Sequence, residues 1–510
     1  GEGGVLVHGQ TLVIIGLQLH SQFSGGGLME RTLDAGRLAT LLGSFDRSPA
    51  YRGLYLALQE LIGDGRIPIG TRLPSERAVA AALGLSRITV ARAYADLAEA
   101  GFAQARQGSG TYAAVPIDRR RAHDHALRPL LDGDAIEGAI DLNCAATAAS
   151  PGLAAAYERA LAALPAYLGG DGYLPSGLPA LRARIAASYA ERGLPTSTEQ
   201  IVITSGALSA LAILARALSG PGDRIMIESP VYPNAMEALK AGGGRLVASP
   251  LADPLGEEGW DHEGIEATLR QASPRLAYLI PDFQNPTGFL MDEAGRERYA
   301  RSLHAAGTTA IIDETLQPIS LDGTPMPAPF TAFAKDALSV GSVSKLYWGG
   351  LRVGWIRAPR DLVPRIVAAR VRLDLGGSLF DQLVVLDLMD QPELLPRRRE
   401  DLRRQRDALA AAVDEYLPDW RYRLPGGGLS LWLRMPAGSA TRYAARMERH
   451  GVLLAPGPVF SVEGGADRWL RLPYARREAE LVLAVQRMAE AWAGGQEQRA
   501  GERAVPVLIA

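Results

Sequence analysis

Lysine is scarce in this chain of 510 residues, occurring only at Lys240, Lys335 and Lys345. Lys240 precedes a glycine run and Lys335 precedes Asp336 in an expected loop, whereas Lys345 stands just past the apolar run "ALSVGS" with hydroxyls beside it. An amine desolvated there, among other cations, is held partly neutral and can attack a carbonyl. Other residues supply what such a carbonyl compound would need. Asp313 ends the apolar run "TAIID", where a buried carboxylate can pair with a protonated ring nitrogen. "TSGALSAL" at 204–211 follows a strand and opens a helix, so the N–H groups of Gly206 and Ala207 and the hydroxyl of Ser205 can hold a phosphate. Arg352, in "SVSKLYWGGLRVGW" with Ser342 and Lys345, can clamp the same phosphate. Tyr232 in "ESPVYPN" can lie flat on a ring, and Asn285 in the turn "QNPTG" can donate to a ring hydroxyl. Singly, each has an ordinary structural reading: a small-residue turn, a buried tyrosine, a surface turn, a strand-end aspartate. Together they are the groups that pyridoxal 5'-phosphate demands of a protein, with Lys345 forming its Schiff base.

The elements that must position these groups are short apolar runs alternating with helical stretches. The runs lie at 200–204, 224–228, 275–280, 309–313, 337–342 and 353–357. Near-continuous apolar strands between amphipathic helices predict an α/β architecture with a large, mixed, mostly parallel sheet covered on both faces. Residues 140–493 form this unit, with a small α+β lobe from about 380 to 493.

Residues 46–115 read differently. Leu54, Leu58, Leu61 and Ile62 mark one face of a first helix. Ser75 caps a second helix that closes at Gly84, and Ser86 caps a third whose buried stripe is Val90, Tyr94 and Leu97. Two extended runs around Gly108-Ser109-Gly110 then form a hairpin or wing. The pair of helices around a tight turn can enter a major groove, with Ile88, Ala91 and Arg92 projecting outward and Arg87 on the flank. Thr89 and the Ser86 cap lie where a phosphate would pass the helix N-terminus. Residues 1–45 are expected to be an irregular extension, 116–139 a linker and 494–510 a disordered tail.

Composition narrows the setting. Between Tyr51 and Arg121 ten arginines face six acids, a net +4, while the whole chain carries −2. A basic module on an acidic body is the asymmetry of a part that meets nucleic acid. Cys144 is the sole cysteine, which excludes an intrachain disulfide and a cysteine metal cluster; no metal is expected. The apolar stretch Val5 to Leu19 is too short and polar to span a bilayer, and a cytoplasmic setting is expected.

The motifs "LPSER", "SRITV" and "RQGSGTY" make Leu54 to Ala113 resemble the winged helix-turn-helix of GntR-family regulators. The resemblance implies that Arg77, Arg87 and Thr89 contact phosphate or base and that Gly108, Ser109 and Gly110 form a wing tip at the minor groove. The order of the cofactor motifs resembles the class I aminotransferases of fold type I, and the whole architecture resembles the MocR subgroup of GntR regulators. That resemblance implies that Tyr173, in "GYLPSGLPALRARIA", reaches the cofactor phosphate of a partner subunit. It implies equally that Arg471, in "RLPYA", binds a substrate α-carboxylate as a fork. It further implies a head-to-tail homodimer, each DNA head resting on the partner's large domain. The chain departs from the pattern at Thr315 and Leu316, where relatives usually carry a tyrosine after the ring-nitrogen aspartate, and at Leu208 beside the phosphate cup. The first departure predicts weakened transamination.

The expected function is a ligand-responsive regulator of promoter DNA, sensing an amino acid or amine through external aldimine formation. The alternatives are a working aminotransferase with an accessory DNA module, and a constitutive regulator with a structural cofactor.

Overall fold

The computed structural model describes residues 32–63, 66–68, 70–106, 109–114 and 139–502, with side chains described to residue 493. Helices Ala50–Gly63, Glu76–Leu83 and Arg87–Glu99 build the head, closed by the antiparallel hairpin Ala103–Arg106 with Gly110–Ala113. Ser75 accepts a hydrogen bond from the Ala78 N–H, and Gly84 ends its helix at φ 64°. Leu54, Leu58, Leu61 and Ile62 pack with Val90 and Leu97 in one core.

That core includes one helix the sequence reading missed. Residues 1–45 were expected to be irregular, yet Ala35–Leu42 is helical, capped by Asp34, whose carboxylate accepts from the Arg37 N–H at 2.9 Å. Leu38 and Leu42, one turn apart, bury themselves in the head. A stripe of two leucines between glycines is too brief for periodicity to reveal. The expected linker lies almost wholly outside the described residues, as do residues 1–31 and Gly108.

The body is built on a seven-stranded sheet. Its order across the sheet is Ile201–Thr204, Gly354–Arg357, Leu338–Ser342, Thr309–Asp313, Leu276–Leu279, Arg224–Ser229 and Arg245–Pro250. Gly354–Arg357 runs antiparallel to both neighbours, and the other pairings are parallel. This is the expected mixed, mostly parallel sheet. Helix Ala207–Leu218, apolar along most of its length, packs on one face; Glu293–Ala305 packs on the other.

The small lobe departs from its expected bounds at both ends. Its four-stranded sheet runs Ser430–Arg434, Trp469–Pro473, Val452–Pro456, Ile140–Leu142, so the first strand after the linker is its edge. Helix Leu379–Met389, assigned to the lobe by position, instead packs in a large-domain core with Leu181, Ile185 and Ile203. The lobe's own core begins in helix Leu394–Tyr416. The tail expected to be disordered from 494 continues helix Glu478–Glu502. The head touches the small lobe of its own chain, where Arg442 donates to the Gln59 carboxamide oxygen. Among the described residues no helix is long and apolar enough to cross a membrane.

Candidate functional site

Parallel strands deliver their C-terminal residues to one crevice, the usual ligand site of such sheets. Here Thr309–Asp313 ends in Asp313 and Leu338–Ser342 leads through Ser344 to Lys345. A cavity of about 350 Å³ gathers Ala207, Tyr232, Asn285, Asp313, Ser342, Lys345, Arg352 and Arg471, residues spread over 265 positions of sequence. Ser205 and Gly206 lie at its margin. The Ser205 carbonyl accepts from Arg352 Nη2 at 2.9 Å, and Gly206 sits at φ 92° so close to Arg352 that a Cβ would come within 2.6 Å of Nη2. Glycine is required there both for the turn and for the close approach.

Lys345 Nζ donates to the Ala145 carbonyl at 2.6 Å. Burial lowers its pKa, Arg471 and Arg352 push the same way, and Cys144 and Asp313 oppose them. The amine is thereby poised toward its neutral, nucleophilic form. Asp313 accepts from the Tyr278 hydroxyl at 2.6 Å and from the Thr315 N–H at 2.8 Å. Burial raises the pKa of this carboxyl, opposed by the bonds from Thr315 and Tyr278. A protonated ring nitrogen placed beside it would give the charge the partner it lacks in the free protein.

Tyr278 was not foreseen. It sits inside the apolar strand Leu276–Leu279, next to Thr309–Asp313, and only the rule that a buried phenol needs a partner hints at its role. Ser344, whose hydroxyl lies 2.9 Å from that of Ser342, also lines the cavity and was not singled out.

Among the described residues, two buried polar atoms of the cavity lining have no partner: Asn285 Oδ1 and Arg471 Nε. Buried polar groups are ordinarily satisfied, so these mark where a polar ligand completes the site. Arg471 stands in strand Trp469–Pro473, with Nη2 donating to the Asn143 carbonyl. Burial lowers its pKa to about 10, which leaves it cationic at neutral pH. An amine, a ring-nitrogen carboxylate, an arginine beside a glycine turn and a tyrosine fit pyridoxal phosphate in chemistry and size. Among the described residues no group of three or more His, Cys, Asp or Glu could hold a metal.

Tyr173 does not join this cavity. It is 62% exposed, beside Asp171, whose carboxylate accepts from its backbone N–H.

Glu228 is a second residue the sequence reading overlooked. It is fully buried and accepts from Trp260 Nε1 at 2.8 Å, the Ile280 N–H at 3.2 Å and Gln284 Nε2 at 3.2 Å. Gln284 in turn accepts from Thr287 and donates to the Pro230 carbonyl, tying the Asn285 turn to the segment that carries Tyr232. Burial pushes the Glu228 carboxyl up to about 7, above its usual 4.5, against the three hydrogen bonds. The folded state therefore holds this proton more tightly than the unfolded chain. Its contribution to stability is full below about pH 4.5 and lost as pH rises through about 7. The upper limit is on the order of 3 kcal/mol. Glu228→Gln is expected to flatten that decline, read as denaturant midpoints across the window; an unchanged pH profile would contradict the assignment.

The head presents helix Arg87–Glu99 outward. Ser86 Oγ accepts from the Thr89 N–H at 3.0 Å and lies 2.8 Å from its hydroxyl. Arg87 is paired with Glu76 at 3.4 Å but its side chain is 75% exposed. Arg77 is exposed, and Ile88 is 82% exposed, a large apolar side chain that the described residues leave uncovered. Arg92, expected to reach outward, stacks its guanidinium 3.8 Å above the Tyr51 ring, a favourable cation–π contact that holds it against helix Ala50–Gly63. In the wing, the Ser109 hydroxyl lies 2.5 Å from that of Tyr112, and Gly110 adopts φ 110°.

Comparison with known proteins bears on both regions. The model of the aminotransferase class I and II family matches residues 168–488, and that of the bacterial regulatory proteins of the gntR family matches residues 50–113. A 2-aminoadipate transaminase of Thermus thermophilus is 31% identical over 334 residues, covering 64% of this chain and 80% of its own. The probable rhizopine catabolism regulatory protein MocR of Rhizobium meliloti is 29% identical over 396 residues, covering 73% and 78%. The structure of the α-aminoadipate aminotransferase LysN of T. thermophilus, complexed with N-(5'-phosphopyridoxyl)-L-leucine, superimposes with a TM-score of 0.64 at 28% identity, covering 71% of this chain and 94% of its own.

Proposed function

The chain belongs to the aminotransferase class I and II family, and its gntR module makes it a member of the MocR subgroup of regulators; we propose from this that it senses an amino acid at its pyridoxal phosphate pocket and adjusts its grip on promoter DNA accordingly. The observation that carries this reading is the single cavity in which Lys345, Asp313, Asn285, Arg352 and Arg471 converge, on a chain whose helix-turn-helix also exposes Arg77 and Arg87.

When bound, the cofactor supplies an aldehyde carbon at which one amine can be exchanged for another. Lys345 is the resident amine. Asp313 would pair with the ring nitrogen, Asn285 would serve the ring hydroxyl, and Tyr232 would lie against the ring. Ser205, Gly206, Ala207, Ser342 and Arg352 would hold the phosphate. Arg471 offers its unpaired Nε and a neighbouring Nη edge to the effector carboxylate. Beyond it Phe283, Leu316 and Leu429 line the cavity. Among the described lining residues the other cations, Lys345 and Arg352, are committed to the cofactor, and the one carboxylate is Asp313. This lining favours an α-amino acid with an uncharged side chain. Tyr173, exposed and away from its own cavity, is available to a partner's phosphate, which supports a homodimer.

On the DNA side Arg77, Arg87, Ser86 and Thr89 face phosphate or base, with Ser109 and Gly110 at the wing. Ile88 adds an apolar surface suited to a thymine methyl.

A working transaminase is the rival, and the 31% identity to a transaminase favours it. Thr315 and Leu316, where a hydrogen-bonding tyrosine would assist turnover, favour sensing. The test is to add each protein amino acid to the holoprotein and follow cofactor absorbance, promoter affinity and oxo-acid release together. Uncharged amino acids are expected to shift absorbance and promoter affinity with at most a single turnover. Sustained oxo-acid production with no change in promoter affinity would make the chain an enzyme instead.

A further inference from the structure

Cys144, the sole cysteine, entered the sequence reading only as a bar to disulfides. In the structure it lines the cofactor cavity and is partly open to solvent. A cysteine just past an edge strand is ordinarily a small packing residue. What separates this one is the pair of cations that flank it. Arg471 Nη2 donates to the carbonyl of Asn143, the residue before. Lys345 Nζ donates to that of Ala145, the residue after, at 2.6 Å. The charge of the Cys144 sulfur favours the protonated form of both.

The segment is pinned on both sides. Upstream, the Asn143 N–H donates to the Asp141 carboxylate at 2.8 Å and Arg476 Nε to the Asp141 carbonyl at 2.7 Å. Downstream, Arg398 Nη2 donates to the Ala148 carbonyl at 2.7 Å. The thiol therefore keeps a fixed station in the cavity wall. A separate observation says what comes to it. Arg471 is 1% exposed, its guanidinium lies 5.0 Å from the centre of the Phe460 ring, and among the described residues its Nε has no partner. A buried guanidinium edge left open in a cavity is a seat for a planar anion, and a carboxylate matches its fork. The carbon skeleton of that carboxylate then extends into the space that Cys144 lines. Thiols that react as nucleophiles occupy electropositive, partly open surroundings of this kind.

We infer that Cys144 is a covalent modification site of this cavity, taking small carboxylates that carry an electrophilic carbon and are held by Arg471. An α,β-unsaturated acid is the simplest such ligand. The thiol gives its proton to water, the sulfur bonds to the β-carbon, the π pair moves to the α-carbon, and that carbon takes a proton from water. The addition needs no oxidant, reductant or leaving group. The carboxylate of the adduct stays on Arg471, so the adduct fills the seat that an amino acid would use. The site requires only that seat, which serves a sensor and a transaminase alike; its regulatory consequence rests on the sensing reading above.

The test uses the full-length holoprotein and two alkylating probes of nearly equal size, iodoacetate and iodoacetamide. In each, the sulfur–carbon bond forms as the carbon–iodine bond breaks and iodide departs. With one cysteine in the chain, intact mass counts the label and peptide mapping locates it. The ratio of the iodoacetate rate to the iodoacetamide rate is expected to exceed that of glutathione, a free thiol, by about tenfold or more, the yield of one hydrogen bond between charged groups. Acetate, which cannot alkylate, is expected to suppress the iodoacetate reaction saturably while acetamide does not, an arm that needs no variant. Arg471→Gln is expected to return the ratio to the glutathione value. L-Leucine is expected to shift cofactor absorbance before carboxymethylation and not after it. A glutathione-like ratio, no protection by acetate, a label on another residue, or a leucine shift that survives carboxymethylation overturns the modification site. A leucine shift in the untreated protein leaves the sensing reading standing in each of those cases. A raised ratio with acetate protection, in a protein that leucine never perturbs, upholds the site and removes the sensing reading.

Discussion

Lys345→Ala is expected to yield a protein that loses pyridoxal phosphate on dialysis and shows no borohydride-stable cofactor mass on any peptide. The other two lysines offer no substitute. Lys240 is ion-paired with Glu237 at 3.0 Å at a helix end, and Lys335 is exposed; neither lines the cavity. Phosphate contacts from Arg352 and the glycine turn remain, so residual binding persists, weaker by on the order of a hundredfold or more, which is about 3 kcal/mol. Spectroscopic titration of the cofactor-free protein measures this directly. Promoter binding without effector is expected to survive, since the head folds around its own core, whereas the response to amino acids is abolished. A Lys345→Ala protein that still responds to effector would leave the cofactor a structural role only.

Arg87→Ala is the counterpart on the other domain. Its guanidinium stands at the first turn of the helix Arg87–Glu99, largely exposed and paired with Glu76 at 3.4 Å. Exposed pairs of this kind contribute little to stability. The variant should therefore fold normally and lose about 1–3 kcal/mol of promoter affinity, some five- to 150-fold. Part of this loss comes from Glu76, whose charge is left unopposed near the phosphates. Glu76→Gln separates the two effects, because it should bind at least as tightly as the native chain. If Arg87 meets phosphate rather than a base edge, the loss is uniform across promoter sequences and the salt dependence falls by about one unit. Unchanged affinity at matched salt would remove Arg87 from the interface.

The site was legible in the sequence where chemistry coincides with the end of an element. Asp313, Ser342 and Lys345 follow buried strands, Gly206 and Ala207 open a helix, and Asn285 sits in a turn whose composition announces it. Such positions are fixed by local punctuation, and the sheet then brings them together. Tyr278 and Glu228 were illegible for the opposite reason. Both lie inside apolar strands, and their partners come from neighbouring strands or distant turns, which one-dimensional periodicity does not record. The tyrosine missing at Thr315 and Leu316 was visible as an absence, but not the phenol that approaches Asp313 from the adjacent strand. Arg92 projects from the helix as its spacing dictates, yet Tyr51, from another helix, decides where its charge goes. The lobe boundary failed because helix Leu379–Met389 follows the large domain in packing although it precedes the lobe in sequence. For Tyr173 the deciding contact would lie on another subunit, beyond what one chain holds.

The edge strand Ile140–Leu142, paired with Val452–Leu454, has a consequence for how the polypeptide is made. The head is complete once residue 114 has cleared the ribosome, long before the lobe's remaining three strands exist. Emerging from the exit tunnel, this strand must wait for some 310 further residues before its neighbour arrives, and closing so long a loop is slow. A nascent or prematurely terminated chain would thus own a folded helix-turn-helix without the cofactor domain that the complete chain carries.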